Sequence, residues 1–129
     1  MYRAGIVIFH PTEDAVLMVC DSRNHMWSFP KGGYERCDSS QLSTAIREVR
    51  EETGFVYRKD YDVFRWLDIV DIHSYVFFRG IALHNRLAFK KCEGEYVKQV
   101  AWIPLRALRK LRMNYVSFVA CQQFRLLYK

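Results

Sequence analysis

Pro30-Lys31-Gly32-Gly33, leading on to Arg47-Glu48-Val49-Arg50-Glu51-Glu52-Thr53-Gly54-Phe55, carries the most specific signal in the chain. It opens as a glycine turn after the aromatic, strand-like Trp27-Ser28-Phe29 and runs on into helical periodicity. Leu42, Ala45, Ile46, Val49 and Thr53 recur at helical spacing, which predicts one buried stripe on a helix from about residue 39 to 53. Ser39, Ser40 or Asp38 can cap its start. Gly54 stands where a left-handed C-terminal residue is wanted.

Glu48, Glu51 and Glu52 lie at i, i+3 and i+4 on that helix, so their side chains are neighbours. Three adjacent carboxylates repel one another, and they crowd the C-terminal half of a helix, where the dipole also disfavours anions. The simplest compensation is a bound divalent cation. Carboxylate oxygens suit magnesium or manganese, and magnesium completes its shell with water and substrate phosphates. A solvated acidic face softened by Arg47 and Arg50 is the competing reading. The glycine turn, the third carboxylate and Arg47 favour a metal site built to grip phosphate.

These residues resemble the Nudix box, G-x5-E-x7-R-E-U-x-E-E-x-G-U, with U a bulky apolar residue. Gly33, Arg47, Glu48, Val49, Glu51, Glu52, Gly54 and Phe55 match in register, eight of the nine defined positions. Ser39 stands where the box has its first Glu, which in the family pairs with the box arginine. Ser39 cannot form that ion pair, so Asp38 or Glu35 is expected to reach Arg47 instead. The resemblance implies an α/β fold: an α/β/α sandwich whose mixed β-sheet carries the box helix on one side and a C-terminal helix on the other. It also implies a metal-dependent hydrolase of diphosphate linkages using Mg2+ or Mn2+. Glu48 and Glu52 are then metal ligands, and Glu51 is a further ligand or the water-activating base. The Gly33 carbonyl is a fourth ligand, and Arg47 is structural. Lys31 and Arg23 flank the turn as substrate-phosphate ligands, with Arg3 a weaker third. In many relatives a glutamate just before the strand Val97–Trp102 acts in catalysis. That position is Tyr96 here, so Glu95, or else Glu93, is the second base.

The 129 residues read as a single domain, large enough for a core without staples. Half are hydrophobic and 16% aromatic, which argues against disorder. A net charge of +6 and a pI near 9.3 favour anionic partners without choosing among them. Cys20, Cys37, Cys92 and Cys121 lack C-x-x-C spacing and read as reduced thiols. With neither a signal-peptide pattern nor a membrane-spanning run, the expected location is cytoplasmic, without a membrane partner. His10, His25, His73 and His84 share no metal spacing and read as turn or surface residues.

Working outward, residues 2–9 and 15–20 read as apolar strands joined by a turn, and could pair as a hairpin. Residues 55–57, 61–72, 75–83 and 97–103 read as further strands, with Gly80 a bulge or a close approach. Leu105–Arg112 reads as a short basic helix. Tyr115–Lys129 reads as a longer one with the stripe Val116, Val119, Ala120, Gln123 and Leu127.

The segment WSFPKGG…STAIREVREETGF is most similar to the messenger-RNA decapping branch of the family, cellular and viral. It also resembles diphosphoinositol-polyphosphate and diadenosine-polyphosphate hydrolases. Three functions follow: cleavage of capped RNA, cleavage of a small diphosphate (a dinucleoside polyphosphate, diphosphoinositol or nucleotide sugar), or non-catalytic binding of RNA or nucleotide. DNA is not an expected partner, and the sequence leaves the oligomeric state open. Arg106, Arg109, Lys110 and Arg112 could track an RNA backbone or simply solvate a helix face. Tyr34, Trp66, Tyr75 and Phe89 are candidates to stack a guanine base, though strand aromatics are more often core.

Overall fold

The computed structural model describes residues 2–64, 70–72, 74–87 and 96–128. Its strands are β1 (Arg3–Phe9), β2 (Ala15–Asp21), β3 (Trp27–Ser28), β4 (Lys31–Gly33), β5 (Tyr61–Phe64), β6 (Val70–Ile72), β7 (Tyr75–Ala82) and β8 (Val97–Pro104). Its helices are α1 (Gln41–Thr53) and α2 (Tyr115–Gln123), with 3-10 segments at Leu105–Lys110 and Leu126–Tyr128. The sheet runs β3-β2-β1-β7-β5, while β4 pairs with β1, β6 with β7 and β8 with β2. β1 and β7 are parallel and the other pairs antiparallel, so the sheet is mixed.

The continuous apolar runs of β1 and β2 have a simple cause: both faces of the sheet are covered, so both sets of alternating side chains must be apolar. Ala4, Ile6, Ile8, Leu17, Val19, Val76 and Phe78 face one core, which α1 closes with Ala45 and Val49. Val7, Val16, Met18 and Phe77 face the other, closed by α2 and the 3-10 segments through Leu105, Leu108, Ala120, Cys121 and Phe124. This is the expected α/β/α sandwich, with the box helix and the C-terminal helix on opposite faces.

The helix α1 forms where periodicity places it and is fixed at both ends. Ser40 is the cap, its hydroxyl accepting the Ser43 N–H at 3.0 Å. Gly54 takes φ 82°, a left-handed conformation, and donates its N–H to the Arg50 carbonyl at 2.9 Å. The predicted stripe is the buried one: Ala45, Val49 and Thr53 are buried, and Leu42 and Ile46 pack half-buried against the core. Burying Val49 contributes roughly 1.5–3 kcal/mol.

Several expectations are corrected. The glycine turn is the strand β4, in register with β1 through Arg3↔Gly33, Ala4↔Gly32 and Gly5↔Lys31. The expected hairpin of β1 and β2 meets only at Phe9↔Val16, because the two strands take different partners: β7 and β4 for β1, β8 and β3 for β2. Residues 55–57 contribute only a bridge, Tyr57↔Tyr61. The run 61–72 yields two strands, β5 and β6, both on β7. At Gly80 the close approach is the right alternative, since a Cβ there would lie 2.9 Å from the Asp62 carbonyl. The basic segment is a short helix, of 3-10 type and ending at Lys110, two residues before the expected Arg112.

The terminal helix stops at Gln123 because Arg125 takes a left-handed φ of 58°, which an α-helix cannot continue through. Its buried face is Ser117, Ala120 and Cys121, with Phe124 just beyond its end, and Gln123 is exposed. Trp66, His73, Phe89, Cys92, Glu93 and Glu95 lie outside the described residues. Among the described residues, no helix is long and apolar enough to cross a membrane.

Candidate active site

Packing α1 against β1 and β4 sets the acidic helix beside the Lys31-Gly32-Gly33 strand. At the centre is Arg47, whose side chain is only 12% exposed. It grips Asp38 fork to fork, Nε to Oδ1 and Nη2 to Oδ2, both at 2.9 Å. Asp38 also accepts the Glu35 N–H at 2.8 Å and the Thr44 hydroxyl at 2.9 Å. The Arg47 guanidinium holds the Asp38 carboxyl well below the usual carboxylate range, against the opposing effect of burial. Asp38 thus takes the place that Ser39 leaves empty in the box, one residue earlier in the chain. Glu35 contributes too, 3.0 Å from Arg47 Nη1.

The same guanidinium collects the groups implied as metal ligands. Nη1 lies 3.0 Å from Glu48 Oε1 and 3.2 Å from both Glu51 carboxylate oxygens. Nη2 donates to the Gly33 carbonyl at 2.7 Å. The repulsion among acids that the sequence poses is therefore met in part by the chain's own cation. Arg47 is raised above its usual range by these partners, Asp38 first. Its expected structural role acquires a definite content: it orients three of the four implied ligand groups at once.

Glu52 turns to the other side, where its Oε1 accepts the Lys31 backbone N–H at 3.2 Å. The Glu48 carboxylate lies directly over Gly32, and a Cβ at that position would overlap it. Gly32 is therefore required as open space, a role the sequence does not assign to it. The doubled glycine in Pro30-Lys31-Gly32-Gly33 is the available signal.

The donor chemistry suits a hard divalent cation: three carboxylates on adjacent turns of one helix and one backbone carbonyl, all oxygen. Among the described residues no three acids already converge as a ligand set. Glu48 and Glu51 would have to turn from Arg47 towards an ion, a rotation about side-chain bonds with the backbone left in place.

A cleft of about 210 Å3 opens beside this helix, and Arg23, Lys31 and Glu52 all line it. The structure thus brings both expected phosphate ligands into the lining of one cleft with one expected metal ligand. Arg23 is already engaged: Nη2 meets Asp21 Oδ2 at 2.8 Å and Nε meets Asp21 Oδ1 at 3.2 Å. Lys31 Nζ lies 5.3 Å from the centre of the Tyr75 ring, and Arg3 lies 5.4 Å from the same ring. That places the weakest of the three cations beside the strongest. Asn114 also lines the cleft, and its N–H bonds the Trp27 carbonyl at 3.0 Å, so the basic segment before it ends at the cleft. Arg109 of that segment is tied to the C-terminal 3-10 segment, its Nε donating to the Leu127 carbonyl.

Of the histidines, His10 accepts the Thr12 and Glu13 N–H groups at its turn, and His84 pairs with Asp60 at 2.7 Å. His10 is thus a turn residue, and a buried one. Tyr34 packs on Tyr2 at 5.2 Å, and Tyr75 stacks on Phe77 at 5.9 Å.

A mixed sheet between two helical layers, with the matched box on α1, defines a class, and the chain belongs to it: the NUDIX domain model matches residues 1–120. The class is that of the Nudix hydrolases. The chain is similar to mRNA decapping complex subunit 2 of Schizosaccharomyces pombe, 28% identical over 116 residues, covering 87% of this chain and 15% of that protein. It is also similar to an uncharacterised 17.7 kDa protein of the e-segB intergenic region of Enterobacteria phage T4, 32% identical over 103 residues, covering 71% and 66%. The chain therefore spans only a small part of the length of the decapping relative. Among solved structures, a Caenorhabditis elegans Ap4A hydrolase binary complex superposes with a TM-score of 0.76 at 19% identity over 95% of each chain, a likeness of fold.

Proposed function

We propose that this chain hydrolyses a diphosphate linkage in a nucleotide-type substrate with magnesium or manganese, the 5′ cap of messenger RNA being the first candidate. The observation that carries the reading is that Arg23, Lys31 and Glu52 line one cleft, which sets basic side chains beside the acidic helix. The likeness to a decapping subunit and the net charge of +6 support RNA as the substrate's body. The basic segment that precedes Asn114, itself in the lining of the cleft, is the proposed track for that body. The fold likeness to an Ap4A hydrolase keeps small dinucleoside polyphosphates as the second reading.

Glu48, Glu51, Glu52 and the Gly33 carbonyl would hold the ion. When bound, the ion neutralises phosphate charge and lowers the pKa of a water for in-line attack. Lys31 and Arg3 draw the diphosphate towards the glycine strand. Arg47 gathers Glu48 and Glu51 beside the Gly33 carbonyl, from where both would turn to the ion. Glu51, more exposed than Glu48, would accept the proton of the attacking water. Glu95 remains the proposed second base. It adjoins Tyr96, which lines the cleft. The reduced thiols support a cytoplasmic location.

The test is a side-by-side turnover assay with magnesium or manganese on cap-labelled RNA, diadenosine polyphosphates, ADP-ribose and diphosphoinositols. Release of 7-methylguanosine diphosphate from capped RNA alone selects decapping. Turnover of the small compounds selects the second reading. Absence of any turnover, with RNA still bound, selects a binding module and overturns the hydrolase reading.

A further inference from the structure

Tyr96 is a large aromatic side chain left 54% exposed at the mouth of a polar cleft. Its ring carries the Arg23 guanidinium at 4.0 Å, Cζ to centroid. The edge of that guanidinium is fixed by the two-point bond to Asp21, and the Arg23 N–H is fixed to Asp21 Oδ1 at 2.7 Å. The backbone below is held as well, the Ser22 N–H donating to the Tyr96 carbonyl at 2.7 Å. The turn leaves β2 where its register with β8 shifts, between Cys20 and Asp21, and this brings residue 23 over residue 96.

An arginine engaged in this way is a poor phosphate clamp. Two of its donors are spent on Asp21, and the charge of Asp21 offsets its own. Its edge is bonded and one face is covered, so what remains is a flat, ordered surface. Such a layer costs little entropy to use, because neither ring nor guanidinium has to be ordered when a ligand arrives. Flat π-systems stack on aromatic and guanidinium planes, and nucleobases do so with little regard to sequence.

We propose that Tyr96 and Arg23 form a nucleobase-stacking layer at the cleft mouth, selecting base-bearing substrates over base-free polyphosphates. This rests on the phosphate-binding reading of the cleft and deepens it. Lys31 and Glu52, on the same cleft wall, would hold the phosphate side of the same nucleotide. Arg23 passes from phosphate ligand to specificity residue.

The experiment measures equilibrium binding by calorimetry, separately from turnover. Wild type, Tyr96→Phe and Tyr96→Leu are titrated with ADP, GDP and inorganic diphosphate in the presence of magnesium. Wild type should bind the nucleotides more tightly than diphosphate. Tyr96→Phe should keep that preference, and Tyr96→Leu should weaken nucleotide binding about 5- to 100-fold, as losing one stacked base does, with diphosphate unchanged. Equal weakening for nucleotides and diphosphate, no weakening at all, or a wild type without preference would each overturn the proposal. None of these outcomes bears on whether the protein hydrolyses, which turnover decides. Circular dichroism of Tyr96→Leu checks that the fold is kept.

Discussion

Arg47 and Asp38 face each other with two parallel hydrogen bonds of 2.9 Å, nine residues apart in sequence, and both side chains are largely buried. This pair ties the loop before α1 to the helix itself. Two-point bonding fixes angle as well as distance, so the guanidinium is held at the orientation that meets Glu48, Glu51 and the Gly33 carbonyl.

Asp38→Asn should cost about 1–3 kcal/mol at neutral pH, the worth of hydrogen bonds to a charged group, with the remaining acids on Arg47 limiting the loss. The pH dependence has a definite sign. Folding depresses the Asp38 carboxyl, so its stabilisation is fully present above the unfolded value of about 3.9 and is lost as pH falls towards the folded value. Urea midpoints between pH 3 and 7 should fall more steeply below about pH 4 for wild type than for Asp38→Asn. Parallel curves would show that the pair carries no charge-linked stability.

Gly32→Ala separates stability from function. The new methyl meets the far end of a flexible side chain, the Glu48 carboxylate, and that end can move aside. The melting temperature should change little, while metal-dependent turnover falls about 10-fold or more because a ligand is displaced. Unchanged turnover with unchanged stability would show that the position of Glu48 over Gly32 is incidental.

Glu51→Gln and Glu52→Gln should each lower the rate about 10²-fold or more, as losing a base or a metal ligand does. Removing divalent ions with a chelator should abolish turnover, and magnesium or manganese should restore it. Manganese titration followed by calorimetry should show weaker binding in both variants. Full activity in both would remove these residues from the site.

The described cysteines should differ in reactivity. Cys37 is exposed, Cys20 and Cys121 are buried, and burial pushes the Cys121 thiol up to about 12. Thiolate is the reacting form, so maleimide at neutral pH should label Cys37 first, with Cys20 and Cys121 labelled only after unfolding. Peptide mass mapping reads the order directly. Early labelling of Cys121 would contradict the packing of α2 on the sheet.

The residues that were legible in the sequence are those whose signal is local. The spacing of Ala45, Val49 and Thr53 fixes which face of α1 is buried, and Gly54 fixes its end, while the cap is narrowed only to Ser39, Ser40 or Asp38. Glu48, Glu51 and Glu52 are neighbours on any helix, so their crowding needs no tertiary knowledge. The unbroken apolar runs of β1 and β2 likewise announce a sheet covered on both faces. Partners across the chain were not legible in this way. Lys31-Gly32-Gly33 has the composition of a turn and is a strand only because β1 lies beside it. The terminal helix carries helix-forming residues past Gln123, yet it ends where Arg125 turns left-handed.

By itself, then, the order of residues determined the helix and its acidic face, because propensity and periodicity act over a few residues, while the sandwich came from the resemblance of the box. Tertiary packing alone decided that Asp38 takes the two-point bond to Arg47 while Glu35 meets it at one nitrogen, that Gly32 makes room for Glu48, and that Arg23 lies over the Tyr96 ring while sharing a cleft with Lys31. Those pairings span from nine to more than seventy positions. They depend on which strand lies beside which, a choice set by the burial of two whole sheet faces and by no single stretch of chain.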